Sequence, residues 1–178
     1  MSWDRGITRR KIVAAGLGGL GLLALGGCNF TPLYAARTAD GDVAQSLQLV
    51  AVEPIKSRVG QELRNKLIFQ FTRGGEAPPP VYRLTVSLKT HTSKLAVEPQ
   101  AGRGESAFVR ADATYVLKRI DTDKQILQAK SVANSSFDQT EQRFANYRAE
   151  LDAQNRAMAV LSEMIRTRVA AALARQAI

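Results

Sequence analysis

The chain has little of the residue types on which most catalytic and metal sites depend. Among its 178 residues there are one cysteine, one histidine and one tryptophan, and aromatic residues make up only 6%. A single cysteine excludes a disulfide within the chain, and the lone histidine has no nearby cysteine or acidic pair with which to bind zinc. The core must therefore be held together by apolar packing alone.

No set of residues has the spacing that catalysis requires. His91 falls on the polar side of a predicted strand, the serines lack a candidate base, and no glycine-rich loop has phosphate-binding spacing. The sequence therefore predicts a protein that is not an enzyme and that uses neither a cofactor nor a metal.

The sequence also lacks an apolar run long enough to span a membrane. The run from Ile12 to Leu25 has only 14 residues, whereas a spanning helix needs about 20. A basic segment from Arg5 to Lys11 precedes it, and Gly26 and Gly27 follow it. This order of a basic region, a short apolar region and small residues predicts an export signal.

The segment Leu25-Gly26-Gly27-Cys28 is similar to the cleavage site of bacterial lipoproteins. In such signals the cysteine is diacylated and becomes the first residue after cleavage. Because no second cysteine exists to pair with it, Cys28 is predicted to be this lipidation site rather than a buried structural cysteine. The export route stays open, since Arg9 and Arg10 fit either a twin-arginine signal or an ordinary basic segment.

Cleavage before Cys28 would leave 151 residues, a length that suits one domain. The removed part carries four cations and one acid, so the net charge would fall from +9 to +6. A basic protein outside the cytoplasm is not expected to meet nucleic acid. Its charge indicates anionic lipid head groups, acidic polysaccharide or an acidic protein partner.

The division of the chain follows from composition and periodicity. We predict a signal peptide over residues 1–27, a lipidated tether over residues 28–46 and one domain over residues 47–178, because the tether has no helical or strand period. Leu47–Val52 predicts a short strand that Pro54 ends. Ser57 is the expected N-cap of the next helix, which Gly74 and Gly75 end. Its apolar stripe consists of Val59, Leu63, Leu67 and Phe71.

Three later segments alternate apolar and polar residues, which is typical of half-buried strands. Asp121–Lys124 predicts a tight hairpin between the last two, and Ser93–Glu105 predicts a long loop before them. The expected inward residues are Tyr82, Leu84, Val86 and Leu88; then Ala107, Val109, Ala111, Ala113, Tyr115 and Leu117; then Leu127, Ala129, Ala133 and Phe137. A long helix opening at Thr140 and Glu141 carries the stripe Leu151, Met158, Leu161, Ile165, Val169 and Leu173.

The predicted order is therefore β-α-β-β-β-α. Each helix has one apolar stripe and each strand has one apolar face. A layer of helices and a sheet can therefore bury their apolar sides against each other. The first strand, helix and second strand favour a right-handed parallel crossover, and the later strands are antiparallel. The expected fold is α+β: a two-layer sandwich with two helices packed on one face of a mixed four-stranded sheet.

The outward side of the predicted sheet collects cations against one acid, Asp112. These cations are Arg83, Lys89, Arg110, Lys118 and Lys130, and the long loop adds Lys94 and Arg103. One interpretation is an ordinary solvated face on a basic protein. The other is a platform for a phosphorylated or carboxylated ligand, which arginine binds as a fork and lysine as a point charge.

The segment Cys28-Asn29-Phe30-Thr31-Pro32-Leu33-Tyr34 resembles the mature start of the LptE family of lipopolysaccharide-assembly lipoproteins. In that family the cysteine is commonly followed by Gly-Phe-x-Pro-Leu-Tyr, from which Asn29 departs. Length, element order and charge agree over the whole mature chain, but only this segment is specific. The resemblance transfers no ligand-binding residue by motif.

The resemblance implies a lipid-anchored protein on the periplasmic face of the outer membrane. It would plug the β-barrel LptD, help that barrel assemble and help lipopolysaccharide reach the outer leaflet, with basic sheet residues meeting lipid A phosphates. The alternative is a periplasmic auxiliary lipoprotein of a lipid-transport complex that binds no lipopolysaccharide. That class is not expected to carry Phe30-x-Pro32-Leu33-Tyr34.

The cleavage-site segment generates a direct prediction about Cys28. Substitution Cys28→Ala should give a protein that is neither acylated nor cleaved by the lipoprotein peptidase, because the thiol that accepts the lipid is gone. Mass spectrometry of the purified protein measures both changes. The wild type should resist salt extraction from membranes, since two or more acyl chains give stable anchoring. An unmodified Cys28 in the wild-type mature protein would contradict the prediction.

Overall fold

The computed structural model describes residues 37–38, 41–94 and 105–176. Cys28, Arg103, the predicted signal peptide and most of the predicted tether lie outside these residues. The elements, in chain order, are β1 (Arg37–Thr38), β2 (Gly41–Asp42), α1 (Val43–Gln48), β3 (Val50–Val52), α2 (Arg58–Thr72), β4 (Tyr82–Lys94), β5 (Glu105–Arg119), β6 (Gln125–Gln139) and α3 (Arg143–Ala174).

The main sheet has four strands in the order β3-β4-β5-β6. β3 runs parallel to β4, whereas β4, β5 and β6 form an antiparallel meander. β1 and β2 form a separate antiparallel pair of two residues each. The mixed four-stranded sheet with helices confirms the predicted α+β class, to which the structure adds the short helix α1.

The apolar stripes of α2 and α3 pack against the inward side of the sheet. Every predicted inward residue of β5 is buried, and Tyr115 at its centre shares a hydrogen bond of 3.1 Å with Ser131 of β6. The predicted helix stripes are also buried, apart from Leu151, which is half-buried. Because the helices contribute one apolar side each, the core lies between the two layers. The other side of the sheet is mostly polar, although Val132 is exposed on it.

Helix α2 begins and ends where its capping residues predict. The Ser57 hydroxyl accepts a hydrogen bond of 3.1 Å from the backbone N–H of Gly60, which satisfies a donor in the first turn. Arg73 takes a left-handed conformation as the C-cap, and Gly74 follows with φ of 77°. Residue 60 must also be glycine because there is no room for a side chain: a Cβ there would lie 2.7 Å from Ile55 Cγ2.

The prediction of a strand from Leu47 is wrong over its first part. Residues 43–48 form α1, and the strand begins only at Val50. Val43, Ala44 and Leu47 share one buried helical face, so Leu47 reaches the core from a helix instead of a strand. The end of the segment predicted as tether is therefore packed against the domain.

Two other boundaries differ from the sequence prediction. β4 continues to Lys94 and β5 begins at Glu105, so both ends of the predicted Ser93–Glu105 loop pair as strand residues. The long helix begins at Arg143 rather than Thr140, because Thr140 is held by two hydrogen bonds of 2.7 Å to the Asn146 side chain. In the described part of the chain, no helix has the length and apolar character needed to span a membrane.

The core contact of α3 can be tested with two neighbouring residues. Leu161 is fully buried, whereas 48% of Val160 is exposed. Leu161→Ala should lower the free energy of unfolding by about 2–5 kcal/mol, because it leaves a cavity between helix and sheet. Val160→Ala, as the control, should change it by about 0.5 kcal/mol or less. Denaturant melts measure both values, and equal effects would contradict the observed packing.

Candidate ligand-binding face of the sheet

The outward side of β4, β5 and β6, called here the outer face, carries the predicted basic residues. Cross-strand pairing places Arg83 beside Lys118, Lys89 beside Asp112, and Thr114 beside Lys130. The alternation of each strand directs these side chains away from the helices, as predicted. Arg83, Lys89, Arg110 and Lys130 are exposed, and Lys118 is half-buried.

Three of these cations form ion pairs. Arg110 donates through Nε and Nη2 to both carboxylate oxygens of Asp112, at 3.0 and 3.1 Å. Lys118 Nζ lies 2.7 Å from Asp123 Oδ2, and Arg83 Nε lies 3.5 Å from Glu53 Oε1. Acids therefore compete with any anionic ligand for three of the predicted binding residues.

The expectation of a single outward acid, Asp112, is wrong, because Asp138 of β6 lies on the same side and accepts a hydrogen bond of 3.1 Å from the Ser106 hydroxyl. Two further acids, Glu53 and Asp123, pair with cations of the face. Glu53 follows the end of β3, and Asp123 lies in the β5–β6 hairpin at φ of 51°. Neither position belongs to the alternating strand segments, so strand periodicity could not include them. Two sequence positions could have indicated these acids. Glu53 comes directly after a predicted strand, and Asp123 lies in the turn that follows the last cations of β5.

The remaining predicted residues differ in their surroundings. Lys130 Nζ has no acidic partner within the described residues, although the Lys130 carbonyl accepts a hydrogen bond of 2.8 Å from Arg168 Nη1. Lys89 lies opposite Asp112, whose oxygens are both bound by Arg110. Lys94 is the last residue of β4 rather than part of a loop, and Arg103 lies outside the described residues.

The ion pairs lower the pKa values of their carboxyl groups. The hydrogen bond from Arg110 lowers the pKa of Asp112, with a further contribution from the charge of Lys89. The hydrogen bond from Lys118 likewise lowers the pKa of Asp123. Lys89 and Lys130 form no ion pair among the described residues, so of the outer-face cations they are the most accessible to an anionic ligand.

The outer face offers charged groups and hydrogen-bonding groups. His91 is exposed and lies opposite Arg110 in the register. Among residues 41–94 and 105–176, no cluster of histidine, cysteine and acidic residues could hold a metal ion. The face can bind an anion reversibly, and solvent screening limits the strength of each contact.

Comparison with known proteins shows the fold. No family model and no curated sequence matches the chain. A solved structure from Caulobacter crescentus CB15, assigned as a lipoprotein, has a TM-score of 0.63 and 19% identity, covering 75% of this chain and 96% of its own. The minor lipoprotein from Acinetobacter baumannii has a TM-score of 0.54 and 15% identity, covering 68% and 90%.

Rare lipoprotein B from Shewanella oneidensis has the same arrangement, with a TM-score of 0.53 and 10% identity over 71% of this chain and 96% of its own. These identities are low, so the likeness concerns the fold. The described domain therefore has a fold that is found in solved bacterial lipoproteins, including rare lipoprotein B.

The contacts of Asp112 predict how its pKa responds when each neighbouring cation is removed. Carboxyl-carbon NMR should give Asp112 a pKa below its ordinary value of 3.8. Arg110→Gln should raise that pKa, and Lys89→Gln should raise it by less, because Arg110 makes the hydrogen bonds. Since the folded-state pKa is lowered, the pair's stabilisation is complete above the ordinary pKa and is lost as pH falls through the lowered one. An unchanged pKa in Arg110→Gln would contradict this geometry.

Proposed function

We propose that this protein is an outer-membrane lipoprotein of the LptE kind, anchored through Cys28. It occupies the interior of a large outer-membrane β-barrel, helps that barrel assemble and assists the passage of lipopolysaccharide into the outer leaflet. This proposal combines the lipoprotein cleavage site, the Cys28–Tyr34 segment and the fold, none of which is sufficient alone.

The observation that carries the proposal is the fold shared with rare lipoprotein B, with 96% of that protein covered. Many lipoproteins have a similar signal, but the signal alone says nothing about what the exported domain does. Here the segment Phe30-Thr31-Pro32-Leu33-Tyr34 and a β-α-β-β-β-α core occur in one chain. The combination supports an LptE-like role over an unrelated lipid-transport accessory.

The arrangement of the domain is compatible with a plug. Two layers with a buried core give a stable, compact body, and its polar outer face could contact phosphates of lipopolysaccharide without exposing apolar core residues. Lys89 and Lys130 would make the principal charge contacts, and Arg110 would rearrange from Asp112 to join them. Binding through such exposed groups should weaken at high salt.

The partner is tested by affinity purification of the full chain from outer membranes. Under the proposal a large β-barrel should co-purify in a stoichiometric amount, and the barrel should be depleted from membranes when the protein is absent. Quantitative mass spectrometry of the purified complex measures the ratio. Recovery of an inner-membrane ATPase and permease without a barrel would instead support the auxiliary lipid-transport role.

The ligand role is tested by charge reversal on the outer face. Arg110→Glu with Lys118→Glu should weaken binding of a lipopolysaccharide head-group fragment, and Lys89→Glu with Lys130→Glu should weaken it more, because the second pair has less acidic competition. Lys66→Glu with Arg148→Glu makes the same charge change on the helix side and serves as the control. Calorimetry measures affinity, and circular dichroism checks folding.

The fragment lacks acyl chains, whose burial salt does not screen and which could hide a loss of charge contacts. If both outer-face variants fold normally and bind the fragment and whole lipopolysaccharide as the wild type does, the outer face has no ligand role. The protein would then act through its barrel partner alone.

A further inference from the structure

The two edges of the sheet are not equivalent. At one edge, α3 covers β6: Arg156 Nη2 donates to the carbonyl of Ser136 and Arg168 Nη1 donates to the carbonyl of Lys130, both at 2.8 Å. These bonds use backbone acceptors that point away from β5 and so oppose the addition of another strand. The β6 edge is therefore partly satisfied within the molecule.

The other edge is covered only at one end. β3 pairs with β4 over Val50–Val52 alone, and the chain leaves the sheet at Pro54. The last contact is from the Glu53 N–H to the Leu84 carbonyl, at 3.0 Å. This bond shows that the backbone groups of the even-numbered residues of β4 point away from β5.

That direction continues along β4 beyond the end of β3. The N–H and C=O groups of Leu88, Thr90 and Thr92 therefore point outward, and no other strand in the described chain pairs with them. The far end of this edge is held to α3, since the Thr92 hydroxyl donates to Glu150 Oε1 at 2.8 Å. We call the segment Leu88–Thr92 the open edge.

The open edge has a depression of mixed polar and apolar lining and two lysines beside it. The depression has a volume of about 320 Å³ and is lined by Pro54, Ile55, Lys56, Val86, Ser87 and Leu88. Lys56 and Lys89 form no ion pair within the described residues, and the acid opposite Lys89 is bidentate to Arg110. An occupant with acidic side chains would therefore complement this surface.

We propose that the open edge binds an extended, acidic segment of a partner protein by strand addition. The backbone of the segment pairs with Leu88, Thr90 and Thr92, a side chain of the segment enters the depression, and carboxylates meet Lys56 and Lys89. A second copy of this chain fits poorly, since pairing two open edges would bring like charges together. The proposal does not depend on the proposed function.

The test uses the full chain in detergent and a synthetic peptide of about ten residues in which valine alternates with glutamate. A matched peptide has lysine in place of glutamate. Amide NMR with hydrogen exchange should show that the acidic peptide protects the N–H groups of Leu88, Thr90 and Thr92 and that the lysine peptide does not. Contacts between peptide and β4 protons should identify the paired strand.

Proline substitutions distinguish the two edges. Thr90→Pro removes an outward N–H while leaving the β4–β5 ladder intact, so affinity for the acidic peptide should fall about tenfold. Asn134→Pro makes the same change at the β6 edge and should leave affinity unchanged. Lys56→Glu with Lys89→Glu should also weaken binding without loss of the fold.

Several results would overturn the proposal. These are no binding of the acidic peptide, equal binding of the lysine peptide, or protection at Val132 and Asn134 in place of the open edge. A further contrary result is that the N–H groups of the open edge are protected without peptide, to an extent that rises with protein concentration. That result would mean that the edge binds a second copy of this chain and not an acidic partner.

Discussion

The close packing of α3 against β5 and β6 is the contact on which the rest of the structure depends. Three of the inward residues of β5 are alanines, Ala107, Ala111 and Ala113, and they leave room for the helix to approach. On α3, Ala153 and Ala157 are equally buried. Small side chains on both surfaces let helix and strand lie close together, and Tyr115 and Leu161 fill the remaining space.

This packing determines which surfaces remain for function. Because the helices bury one side of the sheet, the other side is open to solvent and mostly polar, and its charged side chains become available to ligands. The same arrangement leaves two sheet edges, and side chains of α3 donate hydrogen bonds to backbone carbonyls at the β6 edge. The outer face and the open edge therefore result from one constraint, which is a single apolar layer between sheet and helices.

The fold was largely predictable because its signals are local and periodic. Ser57, Gly74 and the stripe ending at Phe71 defined α2, and alternation predicted the inward residues of three strands. α1 was missed because Leu47 fits both a strand and a helix when only a few residues are considered. The lack of room for a side chain at residue 60 could not be predicted either, because it depends on where Ile55 lies in the folded chain.

The site was less predictable than the fold. Strand alternation found the cations of the outer face, but the acids that pair with Lys118 and Arg83 come from a hairpin and from the segment after β3. The open edge could not be predicted either, because it depends on β3 ending after three paired residues. Both features arise from contacts between segments, and periodicity within one segment does not encode them.

We propose that this protein acts in the delivery of lipopolysaccharide to the cell surface. The most direct measurement is the amount of lipopolysaccharide labelled at the surface of intact cells as the protein is depleted, with total lipopolysaccharide measured in parallel. The account predicts that surface lipopolysaccharide falls while the inner-membrane pool rises, and that re-expression of the wild-type chain restores both. An unchanged surface amount after complete depletion would contradict it.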